Sequence, residues 1–159
     1  MMACDFGGPI NKAAYLFGTV TLSAGQQSFM AAAMLGGMVP PLGVALACTF
    51  FPSRFSAPQR HSSVTVYLMG FSFITEGALP YALRDPLRVI PSCMVGSALA
   101  GALSMAWGCG VPAPHGGLYV LPLATNGGWM LLALALGSAV TALLLGLLKQ
   151  PVPQADVSA

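Results

Sequence analysis

A lone acid, Glu76, sits in the stretch Phe71-Ser72-Phe73-Ile74-Thr75-Glu76-Gly77-Ala78-Leu79-Pro80. A carboxylate can accept hydrogen bonds from hydroxyl groups and can take the proton of a hydroxyl that attacks an electrophile. Thr75 and Ser72 add hydroxyls beside it. The competing reading is a glutamate satisfied by backbone N–H groups at a broken helix end. His115, in Pro114-His115-Gly116-Gly117, can donate, accept or shuttle a proton near neutral pH. Gly116 and Gly117 would let the backbone approach a ligand closely. A hydrogen bond from His115 to a neighbouring helix is the plainer alternative.

Asn11 and Lys12 follow Gly7-Gly8-Pro9. Asparagine offers a donor and an acceptor to a hydroxyl, and lysine supplies fixed positive charge near a phosphate or an acid. Lys12 could instead snorkel to an interface or pair with Asp5. The glycine pair reads as a tight turn, because the G-K-[ST] ending of a phosphate-binding loop is absent. No second His or Cys stands at ligand spacing from His115, so neither a metal nor another cofactor is expected.

The surroundings make these few groups conspicuous. Only 6% of the 159 residues are charged, 56% are hydrophobic, and the mean hydropathy is +0.78. A soluble domain carries about 25% charged residues, so this surface cannot face water all round. Between Lys12 and Arg54 no side chain is formally charged. Charge at membrane depth costs roughly 2.5–3.5 kcal/mol on insertion scales and marks pathways or polar ligands where it persists. The net charge of +2, spread along the chain, gives no reason to expect nucleic acid as a partner.

The chemistry must therefore be positioned by membrane helices, and an all-α, polytopic bundle is expected. A spanning helix needs about 20 apolar residues. Residues 29–51, 89–108 and 129–148 qualify, the last with Trp129 and Lys149 as interface anchors. Residues 13–25 are apolar but short. Residues 64–83 are broken by Glu76, Gly77 and Pro80, and 111–126 hold three prolines and a glycine pair. Such interrupted pieces survive at membrane depth only where protein or a watery cavity surrounds the freed backbone. If 64–83 dips in and returns, Arg54, Arg60, Arg84, Arg88 and Lys149 fall on one face, which the positive-inside rule makes cytoplasmic. Residues 111–126 then form a second hairpin from the opposite face.

Helix contacts are expected at Ser97/Gly101, Ala98/Ala102 and Gly137/Thr141, since small residues let membrane helices approach. Asp85 is expected to cap a helix starting near Pro86 or to pair with Arg88, and Arg84 and Arg88 alternatively dock a partner. Arg54, Arg60 and His61 read as a solvated loop. Three of the four cysteines lie in apolar runs and read as small buried residues. Residues 1–149 form the membrane domain, and the proline-containing tail, 150–159, is expected to be disordered on the cytoplasmic side.

The segments around Gly7-Gly8-Pro9-Ile10-Asn11-Lys12, Phe73 to Pro80, Asp85-Pro86-Leu87-Arg88-Val89-Ile90-Pro91-Ser92 and Pro114-His115-Gly116-Gly117, in this order, resemble the membrane IIC component of fructose-type permeases. These belong to the bacterial phosphoenolpyruvate-dependent sugar phosphotransferase system. The resemblance implies a multi-pass sugar carrier of the bacterial cytoplasmic membrane. It would bind fructose or a related hexose and work with cytoplasmic IIA and IIB phosphoryl donors. It also implies that Glu76 is the acid of a substrate loop, with Asn11, Lys12, Thr75, His115 and Gly116 as substrate contacts, and Glu76 and His115 as catalytic groups. No segment resembles IIA or IIB, and a family IIC domain runs roughly twice this length. The expectation is therefore a C-terminal half whose N-terminal half is missing. A non-transporting remnant or a structural subunit of a split carrier is the alternative.

Overall fold

The computed structural model describes residues 1–151; residues 152–159, most of the expected tail, lie outside the described part. Three helices carry the fold: α2 (Ser28–Phe50), α6 (Pro86–Ala106) and α7 (Gly127–Leu148). They match the three expected spans to within three residues at each end. Helix α1 (Pro9–Ser23) has 15 residues, about 22 Å at 1.5 Å per residue, too short for a hydrocarbon core of about 30 Å. Helices α3 (Ala57–His61), α4 (Ser63–Phe71) and α5 (Leu79–Arg84) are shorter still. The described residues contain no β-strand, only one isolated bridge.

Helix α2 is the axle. It is buried along nearly its whole length and packs on α1, α4, α6 and α7. Pro40 and Pro41 lie inside it without ending it. Proline at 40 removes the N–H that would pair with the Gly36 carbonyl. Ser97 of α6 replaces that donor, its hydroxyl donating to Gly36 O at 2.9 Å. The Ser97→Ala variant should lower resistance to detergent unfolding by about 0.6 kcal/mol, the average for interhelical hydrogen bonds in a membrane bundle, and by at most about 1.7. No change in the SDS midpoint would show that the proline gap is tolerated unaided.

The expected Gly137/Thr141 contact is a close crossing of α6 and α7. A Cβ on Gly137 would lie 2.6 Å from Gly96 O, and one on Gly96 would lie 2.0 Å from Thr141 Oγ1. No side chain fits there. Ala98 and Ala102, by contrast, are exposed on the outer face of α6.

The basic residues converge at one end. Arg54 donates to the carbonyl of Lys149, and Lys149 Nζ lies 3.8 Å from Asp85. Arg88 pairs with Asp85 at 3.1 Å, and Arg84 donates to Ser56 Oγ at 3.0 Å. Two expectations change here. Lys149 is buried and lies over the Phe55 ring, 5.3 Å from its centroid, so it ties α7 to the loop rather than anchoring at an interface. Arg54 is likewise part of that tie instead of a solvated loop. Asp85 stands at the N-cap position of α6 but makes no capping hydrogen bond; its carboxylate goes to the two cations.

Candidate functional site

Both interrupted segments are hairpins. In the first, α4 runs away from the basic end, turns through Phe73 and the short 3₁₀ helix Thr75–Ala78, and α5 returns. The return is fixed where Tyr81 donates to Gln59 O at 2.7 Å and Arg84 reaches Ser56. Nine residues of α4 rise about 13.5 Å, roughly half the hydrocarbon thickness. The tip meets α2 at Gly37, mid-helix, where a Cβ would lie 2.5 Å from the Phe73 ring and 2.8 Å from Thr75 Oγ1. Arm lengths and the contact with α2 thus agree on mid-depth.

The second hairpin is pinned at its base by the mutual backbone hydrogen bonds of Gly110 and Thr125, at 3.2 and 2.8 Å. Val111 N–H also donates to Gln27 O just before α2, so it starts from the opposite end. Its tip touches the first: a Cβ on Gly117, at φ +56°, would lie 2.3 Å from Phe71 O. Only glycine permits that backbone contact.

The tips enclose a cleft of about 620 Å³. Its polar groups come from Asn11, Lys12, Thr75, Glu76 and His115, five of the six residues that the resemblance implied as substrate contacts; Ser72 does not line it. Met2, Tyr15 and Phe73 form apolar walls, with the His115 ring 5.2 Å from the Phe73 ring and Tyr15 6.2 Å from it. Gly116 does not line the cleft. Its φ of +125° makes it the turn that starts the 3₁₀ helix Gly117–Leu123.

Glu76 is exposed, on an open cleft. It is not the buried lone anion expected, and no backbone N–H hydrogen-bonds its carboxylate among the described residues. His115 is exposed too, its contact being an aromatic ring instead of a helix hydrogen bond. Asn11 is 7% exposed, and its amide donates to Met2 O at 2.6 Å. The described ion pairs do not join Lys12 to Asp5. Asp5 instead accepts the N–H groups of Ile10 and Asn11 at 2.7 and 2.9 Å. A carboxylate there satisfies orphan donors in the first turn and complements the helix dipole.

The glycine pair has a second use. Gly7, at φ +102°, is so close to the acid that a Cβ would lie 2.4 Å from Glu76 Oε1. A Cβ on Gly8 would likewise lie 2.4 Å from Asp5 Oδ2. Each glycine makes room for one carboxylate. Phe73, buried and at φ +63°, is the residue sequence reasoning missed. A bulky side chain in that backbone region costs of order 1–3 kcal/mol and tends to occur at functional sites.

The fold and site define a polytopic helical membrane protein with three candidate spans and two interrupted hairpins meeting at a polar cleft. No family model matches the chain, and no solved structure matches it. Curated relatives do. It is 49% identical over 154 residues to the fructose permease IIC component of Bacillus amyloliquefaciens, covering 97% of this chain and 50% of the relative. It is 50% identical over 149 residues to the phosphotransferase-system fructose-specific EIIC component of Haloferax volcanii, covering 94% and 40%. It is 48% identical over 154 residues to the fructose-specific EIIABC component of Bacillus subtilis strain 168, covering 97% and 24%. At about 50% identity over nearly its whole length, the chain is similar to fructose-specific IIC components of the sugar phosphotransferase system and matches the C-terminal portion of IIC. It spans 24% to 50% of the length of these relatives.

Proposed function

We propose that this chain forms the sugar-handling part of a phosphotransferase permease in a bacterial cytoplasmic membrane, taking up fructose or a related hexose. The supporting observation is that carboxylate, imidazole, amide, hydroxyl and ammonium groups from residues 11 to 115 share one cleft. Thr75, Glu76, Asn11 and His115 hydrogen-bond sugar hydroxyls, while the Tyr15 and Phe73 rings cover a C–H face. Glu76 takes the proton of the attacking hydroxyl as the oxygen–phosphorus bond forms and the bond to the donor side chain breaks. Lys12 offsets the negative charge. The chain's task is positioning, since the phosphoryl group comes from IIA and IIB modules.

Further membrane helices, on this polypeptide or another, complete the carrier. They would cover Leu16, Phe17 and Val20 on α1 and Met94, Val95 and Ala98 on α6, all exposed beside an apolar groove of about 560 Å³. Near-50% identity to permease components does not favour the remnant reading. Fructose titrated into the carrier assembled with those helices should give a saturable heat. The His115→Ala variant should weaken binding by about tenfold, the scale of one lost hydrogen bond. A folded carrier giving no heat would reject the reading.

A further inference from the structure

Glu76 faces two clefts. Besides the sugar cleft, it lines a second of about 330 Å³ that runs between the legs of the first hairpin to Gln59 and Arg84 at the basic end. Two facts distinguish this space from a packing gap. Gln59 is only 7% exposed, and its Nε2 has no hydrogen-bond partner among the described residues. Its Oε1 is occupied, accepting from the Ser56 N–H at 3.2 Å and lying 3.3 Å from Ser56 Oγ. A buried amide donor left unpaired is costly and calls for an acceptor.

The other groups add donors. Arg84 carries five N–H donors in a planar fork, and its one described bond is to Ser56 Oγ. Thr65 contributes a hydroxyl to the same lining. Tyr81 and Ser62 already donate, to Gln59 O and Pro58 O. One cation and several spare donors suit a multiply accepting anion, and a guanidinium fork matches phosphate oxygens best.

We propose that this second cleft is a phosphate subsite. It receives the phosphoryl group still bonded to the donor side chain from the basic end; that bond breaks as the sugar hydroxyl's oxygen–phosphorus bond forms, and the cleft then holds the phosphate of the sugar phosphate, with Glu76 as the wall shared with the sugar. Arg84 and Gln59 are its binding residues. The inference rests on the sugar-carrier reading for its biological sense but not for its test. The placement separates the roles of the cations: Lys12 serves the sugar cleft, Arg84 the phosphate. Once transfer is complete, the Glu76 carboxylate repels the product dianion toward Arg84 and the basic end.

The experiment is thermal unfolding of the carrier, assembled with its further helices and purified in lipid nanodiscs, with inorganic phosphate titrated against chloride at matched ionic strength. Phosphate should raise the Tm saturably. The Arg84→Gln variant, at an exposed position, should need at least about tenfold more phosphate, the scale of one lost charge-assisted contact. Gln59→Leu should weaken protection likewise. Arg88→Gln, on the same face but outside the cleft, should match the parent protein. Equal loss in Arg84→Gln and Arg88→Gln, or protection no better than chloride's, overturns the proposal. Fructose binding is measured on the same samples and should persist in Arg84→Gln. Absent sugar binding with Arg84-dependent phosphate binding would sink the carrier reading and leave the subsite standing.

Discussion

The Glu76→Gln variant is expected to lower sugar phosphorylation by about 10²–10⁴-fold, the range of a general base, with unchanged amounts of protein in the membrane. Glutamine keeps the volume of glutamate and can still accept a hydrogen bond from a hydroxyl, but it cannot take a proton at neutral pH. Glu76 is exposed on the cleft and makes no described ion pair or hydrogen bond. Removing its charge therefore leaves no buried partner orphaned, and the fold should not notice. The kinetic pattern separates two roles. A base lost from the transition state lowers kcat and kcat/KM together, whereas a lost ground-state contact raises KM alone. Uptake by cells that depend on this carrier, with donors supplied, is the measurement. Wild-type uptake with Gln at 76 would remove Glu76 from the chemistry.

The three spans were legible because a 20-residue apolar run leaves little alternative in lipid. The first hairpin was legible through charge: only a returning segment puts Arg54, Arg84, Arg88 and Lys149 together, and the structure joins Arg54 and Lys149 directly. Contacts between distant residues were not legible. Nothing in Asp5 alone says that its carboxylate reaches the amides of Ile10 and Asn11. Nothing local marks Lys149 as buried against Phe55 and Asp85. The small-residue pattern on α6 was right in kind and wrong in part. Ser97 serves α2, while Ala98 and Ala102 face outward. A pattern of small residues gives a face that can be approached closely but does not name its neighbour. Phe73 escaped notice because propensity argues against a left-handed phenylalanine. Packing by His115, Tyr15 and Gly37 holds it there.

The Gly7→Ala variant should cost about 100-fold in sugar phosphorylation, the scale of a 1 Å displacement of a reacting group, although it removes no polar group from the cleft. The new methyl would fall 2.4 Å from Glu76 Oε1 and 2.7 Å from Cδ. The overlapped atoms are the far end of a flexible side chain, so the carboxylate would swing away rather than the helices part. The positive φ adds backbone strain of order 1–3 kcal/mol, which lowers stability as well. Gly25 separates these two consequences. It also sits at positive φ, +84°, but a Cβ there would meet nothing within 4 Å. Gly25→Ala should therefore share the loss in Tm and keep the activity. In the double variant Gly7→Ala/Glu76→Gln, activity should fall no further than in Glu76→Gln alone, because both changes act through one carboxylate. Multiplicative losses, or equal losses of activity in Gly7→Ala and Gly25→Ala, would show that Gly7 shapes the loop and not the position of the acid.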